Sequence, residues 1–524
     1  MRRLVRRVGD SLPVSVAGMY GRHAVDQPSE RAKGKTLPPP VETYLRETNP
    51  WWDARPRPPV PPFRRWGYHA VQRKLRAQLA PAVVLRGPRQ IGKTTIQAQI
   101  IDDLLRQPGF DPRRVLRVQF DDLPPLRGDA MPLFAIAWWY EQAILGQPLN
   151  GAAHADEHAY LFFDELQNVS DWAPQLKALV DHYAVRVVVT GSSAFRIAAG
   201  RDSLAGRVAT VEMGPLLLRE IAGLRWGVDA PPALPDNGFG ELRTADFWRG
   251  LNATVRADAE VIGRAATAFS ERGGYPLGHL HPDLPWHDVA DQLNETVIRR
   301  VIAHDLGAGG RGRDGRLFEE LVGVACRYAG QAPGRNLWLG ELGRTVGTEV
   351  RWRRVQDYLQ LLDDTLIVRL VEPLNLRLRR GFGYRKICVT DHALRASWLG
   401  EVVPLDGAGL DRSPHLADLA GRIAESTVGA FLADIRQIRL HHFPERAGEP
   451  EVDFVLTAGE YRIPLEVKFR RRIDPHRDTR GLRSFLDTTA YNAPFGVLVT
   501  QDEDVELEDA RIVPVSLRAL LWMR

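Results

Sequence analysis

The feature that most constrains this chain is an apolar run, Ala82-Val83-Val84-Leu85, that breaks into Gly87-Pro88-Arg89-Gln90-Ile91-Gly92-Lys93-Thr94 and then into a helix-compatible stretch, Thr94 to Arg106. A buried strand that turns through such a glycine loop into a helix is a phosphate-binding arrangement, and it commits this part of the chain to a parallel sheet covered by helices. The glycines let backbone N–H groups wrap phosphate oxygens, and the helix N-terminus adds positive potential. Lys93 would reach the β and γ oxygens of ATP, and the Thr94 hydroxyl would coordinate Mg²⁺. Composition sharpens the reading of Lys93: only seven of the 70 Lys and Arg residues are Lys, so each lysine asks for a reason.

Four further apolar runs, Val115 to Phe120, Tyr160 to Phe163, Val185 to Val189 and Val208 to Met213, alternate with amphipathic stretches, the rhythm of a parallel α/β sheet. Tyr160 to Phe163 ends in Asp164-Glu165, which places Asp164 to hold Mg²⁺ through water and Glu165 to orient the attacking water. Val185 to Val189 ends in Thr190-Gly191-Ser192-Ser193, where Ser192 is placed to sense the γ-phosphate. The expected nucleotide contacts therefore run from Gly87 through Thr95 and include Asp164 and Ser192. Arg207 is a candidate charge-neutralising arginine, acting within the chain or across a subunit interface.

The remaining composition excludes several classes. Hydrophobic residues at 44% and charged residues at 26% are those of a globular protein, and a net charge of +5 does not by itself argue for nucleic acid. Two cysteines, Cys326 and Cys388, cannot form a four-thiolate zinc site and fit a reducing compartment. No apolar run reaches the roughly 18 to 20 residues of a membrane span, so the expectation is a cytoplasmic protein without membrane contact. His279, His281 and His287 flank prolines and read as surface histidines rather than a metal site; His441 and His442 receive no role.

Residues 1–62, rich in Arg and then in Pro, read as a tail and linker; 63–222 as the ATPase core; 223–318 as a helical lid; 319–400 as a winged-helix domain; and 412–524 as a last α/β domain. In the winged-helix outline Glu341 to Val346 is the second helix and Arg351 to Leu362 the recognition helix. Arg351, Trp352, Arg353 and Arg354 stand at its start, and Arg377, Arg379, Arg380, Arg385 and Lys386 follow on a hairpin, a placement suited to phosphate contacts with DNA.

Near the C-terminus, Asp453 precedes Glu466-Val467-Lys468, and Lys468 is the last lysine of the chain. Glu466 and Lys468 point to one face of a strand, Asp453 falls on its hairpin neighbour, and Glu425 can approach from a helix. Two or three carboxylates around Mg²⁺ or Mn²⁺, with a Lys beside the attacking water, is what metal-assisted phosphodiester hydrolysis needs.

Two resemblances rest on these residues. Arg86 to Thr95, Phe163-Asp164-Glu165-Leu166-Gln167 with Trp172, Thr190 to Ser193, Ala205-Gly206-Arg207, Pro215-Leu216 to Arg219-Glu220, Gly273-Gly274-Tyr275-Pro276 and Lys386-Ile387-Cys388-Val389-Thr390-Asp391 together resemble prokaryotic AAA-type (AAA+/STAND-like) ATPases with a C-terminal DUF4143 region. Asp453, Glu466 and Lys468, with Glu425, resemble the PD-(D/E)xK nuclease site, although Val452 replaces the proline. These resemblances imply an α/β fold: an AAA-type parallel sheet with helical lid, a winged helix and a restriction-endonuclease-like C-terminal domain. The implied function is an ATP-hydrolysing, DNA-associated protein whose nucleotide state controls the C-terminal region. The alternative is an ATP-dependent switch or scaffold whose inactive nuclease-like domain binds DNA or a partner protein. A homo-oligomer is compatible with both.

Overall fold

The five apolar runs form the first layer of a computed structural model, which describes residues 37–124, 131–154, 157–191, 204–234, 240–306, 314–347, 349–375, 383–436, 438–446 and 448–524. Strands β1 (Ala82–Arg86), β2 (Val115–Gln119), β3 (Tyr160–Asp164), β4 (Arg186–Gly191) and β5 (Val208–Glu212) make one parallel sheet in the order β2-β3-β4-β1-β5. Alternate side chains serve opposite faces. Val83 and Leu85 pack with helices Trp66–Ala77 and Lys93–Leu105, whereas Ala82 and Val84 pack with helices Pro132–Tyr140 and Trp172–His182.

The expectation of a tail through residue 62 fails from residue 37 onward. Pro39 and Pro40 fill the first turn of a helix, Pro39–Thr48, where a missing N–H breaks no helical bond. Val41 and Leu45 of that helix are fully buried against the sheet. Asn49 completes the otherwise open edge of β2, donating to the Arg117 carbonyl at 2.8 Å and accepting from the Arg117 N–H at 2.7 Å. The indole N–H groups of Trp51 and Trp52 both reach the Val115 carbonyl, at 3.0 and 2.8 Å.

Three helices, Gly315–Arg327, Arg335–Val346 and Trp352–Asp364, lead into antiparallel strands β6 (Val368–Pro373) and β7 (Lys386–Val389). Helix Ala417–Ala433 then precedes an antiparallel meander, β8 (Arg439–Phe443), β9 (Val452–Ala458) and β10 (Tyr461–Lys468). Helix Arg480–Asp487 carries the chain to β11 (Gly496–Thr500) and β12 (Ile512–Ser516), which continue the sheet in parallel. β6 also pairs with β8 through Glu372–His441 and Pro373–His442, so seven strands form one sheet, β12-β11-β10-β9-β8-β6-β7.

The segment expected to be one helical lid serves two places. Helix Ala245–Ala257 lies on the C-terminal sheet, where Asn252 accepts the Ser516 N–H at 3.0 Å. Thr296 and Arg300, by contrast, stand over the glycine loop. Gly273 and Asp391, far apart in sequence, meet here: Asp391 accepts the Gly274 N–H at 2.6 Å and the Ala393 N–H at 2.9 Å. A Cβ on Gly273, whose φ is +67°, would lie 2.2 Å from Asp391 Oδ1, so this residue must be glycine for both steric and backbone reasons. His279 is buried, not on the surface, and its Nε2 sits 2.7 Å from the Gly273 carbonyl. Among the described residues no helix is long and apolar enough to cross a membrane.

One buried ion pair fixes the glycine loop to the rest of the chain. Arg65 Nη2 pairs with Glu220 at 2.6 Å and also faces the carbonyls of Gly214 at 3.1 Å and Pro215 at 2.8 Å, while Nη1 donates to the Ile91 carbonyl at 2.8 Å. Glu220 also accepts the backbone N–H of Trp66 at 2.9 Å and of Leu217 at 3.1 Å. Glu220→Ala strands the Arg65 guanidinium without a counter-charge and is expected to lower the unfolding free energy by about 3–5 kcal/mol in urea titration. A loss below about 1 kcal/mol would show that the pair does not hold the fold. A second expectation concerns acid. Desolvation pushes His279 and His392 down from 6.5 to about 4. Between those values the unfolded chain binds protons that these two folded histidines refuse, so their contribution to stability falls as pH drops through this window, against the opposite contribution of Asp391, raised to about 7 by desolvation. Thermal melts of His392→Asn between pH 7 and 4.5 are expected to show a shallower dependence than wild type.

Candidate functional site

The glycine loop is held open by two residues with positive φ, Gln90 at +64° and Gly92 at +89°. Gly87 permits close approach to the neighbouring strand, since a Cβ there would lie 2.2 Å from the Met213 carbonyl. The loop ends at the first turn of helix Lys93–Leu105, which directs unpaired N–H groups toward it. Lys93 is buried, and its ammonium donates to the carbonyls of Gly87 at 3.0 Å and Pro88 at 2.8 Å. The Arg89 Nε is buried with no hydrogen-bond partner, a donor that an anionic ligand would satisfy.

Opposite the loop, the Thr94 hydroxyl donates to Asp164 Oδ2 at 2.8 Å, while the Thr190 hydroxyl donates to Asp164 Oδ1. A hydroxyl and a buried carboxylate side by side suit Mg²⁺, which Thr94 and Asp164 would hold. When bound, Mg²⁺ supplies neutralisation of the β and γ oxygens. Glu165 adopts φ +51° at the strand's end, and its carboxylate accepts from the Gln167 amide. Lys93, Thr94, Asp164 and Glu165 line a cavity of about 380 Å³ together with Asp121 and Asp122, and Thr296 and Arg300 reach it from the helical segment. Desolvation, with the charge of Glu165 next, raises the Asp121 pKa above the ordinary carboxylate value.

Sequence reasoning missed Asp121 and Asp122, although Phe120-Asp121-Asp122 repeats the strand-then-acid pattern of Phe163-Asp164-Glu165. It also missed Arg300, for which an Arg-rich sequence offers no signal. Arg207 is not brought to this cavity. Its carbonyl accepts the Ala82 N–H at 3.2 Å, at the opposite end of β1 from the loop, and its guanidinium pairs with Asp181 at 2.6 Å. Ser192, Ser193, Arg377, Arg379, Arg380 and the N-terminal arginines lie outside the described residues.

The second constellation does assemble. Asp453 on β9 and Glu466 on β10 are linked by a 3.4 Å bond from the Asp453 N–H to Glu466 Oε2, and Asp453 Oδ2 accepts the Val467 N–H at 2.8 Å. Lys468 pairs with Glu466. Glu425 faces them from helix Ala417–Ala433, but Lys386 of β7 stands between, bonded to Glu425 and 3.6 Å from both Asp453 Oδ1 and Glu451 Oε1. Burial alone would depress the Lys386 pKa; Glu425, Asp453 and Glu451 outweigh it and hold the ammonium charged. Desolvation and the nearby Asp453 push the Glu466 carboxyl up to about 8. Among the described residues no three His, Cys, Asp or Glu side chains form a group that could hold a metal ion. Glu425, Asp453 and Glu466 thus do not fit the Mg²⁺ or Mn²⁺ expected there: the Lys386 ammonium lies against Glu425 and Asp453, and Glu466 is paired with Lys468.

At the loop, Lys93→Ala is expected to abolish ATP turnover in a phosphate-release assay. Glu165→Gln should lower kcat by about 10²- to 10⁴-fold while ATP still binds, the separation expected for a residue that activates water. Equal loss of binding in Glu165→Gln would assign that residue a structural role instead.

Comparison with known proteins agrees with the geometry of the loop. Residues 80–222 match the family model described as an AAA domain (AAA_14), and residues 420–519 match a domain of unknown function, DUF4143. An uncharacterized protein of Haemophilus influenzae is 20% identical over 61% of this chain and 69% of its own length. An uncharacterized protein of Mycobacterium tuberculosis is 27% identical over 43% of this chain, and the match spans about half, 47%, of that relative. Among solved structures, the Saccharomyces cerevisiae Hsp104–ADP complex aligns over 61% of this chain and 41% of that one at 14% identity and a TM-score of 0.27, too low to assign a shared fold. Residues 80–222, which hold the glycine loop, Lys93, Thr94 and Asp164, are thus similar to an AAA domain, and residues 420–519 to the DUF4143 region.

Proposed function

We propose that this chain is an ATP-driven, DNA-associated switch in which the state of the P-loop cavity is passed to the C-terminal domains. The observation that carries this reading is a chain of ion pairs running from the base of the glycine loop. Arg86, which immediately precedes Gly87, pairs with Glu212 of β5 at 3.0 Å; Glu212 pairs with Arg369 of β6; and the Arg369 Nε donates to Asp434 at 3.0 Å, just after helix Ala417–Ala433. The network joins the five-stranded sheet to the seven-stranded one. A shift of β1 or β5 on ATP binding must therefore be accommodated in β6 or in the C-terminal helix.

At the cavity, Lys93 would exchange its two loop carbonyls for phosphate oxygens, Glu165 would orient the water attacking in line, and Arg300 would offset charge on the transferred group. Arg207, paired with Asp181 on the far edge of the sheet, has a role in hydrolysis only if it reaches a neighbouring subunit in a homo-oligomer. DNA association is supported by three helices followed by a two-stranded hairpin, the order of a winged helix, with Arg351, Arg353 and Arg354 exposed at the start of the third helix. A partner protein is the competing ligand of that face.

The switch is tested by hydrogen exchange of the full chain with and without ATP in the Glu165→Gln background. Protection of residues 368–373 and 386–389 is expected to change with ATP, and Arg369→Gln should remove that change without abolishing ATP binding. Anisotropy with duplex DNA is expected to show affinity falling steeply with salt, and Arg351→Glu with Arg353→Glu should reduce it at least tenfold. ATP-independent exchange in β6 and β7 would refute the coupling.

A further inference from the structure

The C-terminal acidic cleft contains two of the seven lysines of the chain, Lys386 and Lys468, in a protein that otherwise uses Arg almost throughout. The choice has a physical reason. An ammonium is a compact point charge with three donors, close in shape to a small cation. Lys386 spends its donors on Glu425 and on the Asp453 carbonyl at 3.3 Å, and sits 3.6 Å from the carboxylates of Glu451 and Asp453. Its side chain is 2% exposed, and its ammonium lies 5.0 Å from the centre of the Phe454 ring.

We propose that the ammonium of Lys386 is the resident cation of this cleft, standing where a divalent metal would otherwise bridge Glu425 and Asp453. The cleft thereby joins β7 to the C-terminal domain and does not perform metal-dependent cleavage. The inference goes beyond the ATP reading and does not depend on it.

Lys386 is not poised to leave. Its strand is paired on one side with β6, Lys386 opposite Val371, and on the other with a loop, where the Ile387 N–H donates to the Gln331 carbonyl and the Gly330 N–H to the Ile387 carbonyl, both at 2.8 Å. Helix Ala417–Ala433 lies so close behind that a Cβ on Gly429 would be 2.3 Å from Cys388 Sγ. Withdrawing the ammonium would mean breaking this pairing and leaving Glu425, Glu451 and Asp453 to repel one another in a partly desolvated site.

The test is Mn²⁺ binding to the nucleotide-free full chain, read by electron paramagnetic resonance, in an Asp164→Asn background that removes the metal site of the P-loop. With Lys386 present, Mn²⁺ is expected to stay free at concentrations where Lys386→Met binds one equivalent, a gain of at least tenfold in affinity that Asp453→Asn then removes. Thermal melts add an independent readout. Lys386→Met should melt lower than its parent, with the midpoint restored by Mn²⁺ or by the added change Glu425→Gln, which deletes the stranded charge. Stoichiometric Mn²⁺ binding by the Lys386 protein that is lost in Asp453→Asn would overturn the proposal. So would a folded Lys386→Met chain that binds no more Mn²⁺ than its parent. If Lys386→Met does not fold, failure of Glu425→Gln to rescue it would overturn the proposal equally.

Discussion

The buried Arg65–Glu220 pair is the interaction on which the arrangement of this protein depends. A guanidinium taken out of water is costly unless every donor is satisfied, and Arg65 satisfies its donors only where four segments meet. The acceptors are the Ile91 carbonyl inside the glycine loop, the Gly214 and Pro215 carbonyls after β5, and the carboxylate of Glu220. Glu220 in turn caps Trp66 and Leu217. The phosphate loop is thus not a free hinge between a strand and a helix. It is anchored by hydrogen bonds to the segment that leads into the rest of the chain.

From the same region the surface changes character and the contacts become ionic in a different sense. Glu212, at the end of β5, is held below the usual carboxylate range because the charges of Arg369 and Arg86 overcome its desolvation. Arg369 is buried with both Glu212 and Asp434, so two acids more than two hundred residues apart share one guanidinium. Such a network contributes little net stability once desolvation is counted, but it is geometrically exacting, because moving any member exposes an uncompensated charge. That property suits a joint between the five-stranded sheet and the seven-stranded one.

The two phosphate-chemistry motifs fare differently on folding, and particular residues show why. Around Lys93 the local sequence suffices: the order strand, glycine loop, helix is built from neighbours, and Thr94 needs only one distant partner, Asp164, whose position after an apolar run is itself visible in the sequence. Around Glu466 the acids assemble as their spacing predicts, since strand periodicity places Glu466 and Lys468 on one face and Asp453 beside them. Lys386 was legible only as a basic residue on a hairpin. Its arrival among the carboxylates requires β6 to cross over and pair with β8, a register of two residues between segments nearly seventy residues apart, which no local pattern encodes. Pro39 and Pro40 mislead for a related reason: proline forbids a helix interior but not a first turn, and the burial of Val41 and Leu45 decides between the two.

The amino-acid sequence alone determined the strands of the P-loop sheet, the loop with Lys93 and Thr94, the Asp164-Glu165 pair and the strand face of Glu466 and Lys468. Each of these is written in residues a few positions apart, through side-chain alternation and backbone freedom at glycine. Tertiary structure alone decided that Arg65 and Glu220 clamp the loop, that Arg300, Asp121 and Asp122 join the cavity, that Arg207 lies at the wrong end of the sheet, and that Lys386 fills the acidic cleft. Those outcomes depend on which charges the fold removes from water together, and charge pairing across hundreds of residues is set by topology rather than by spacing.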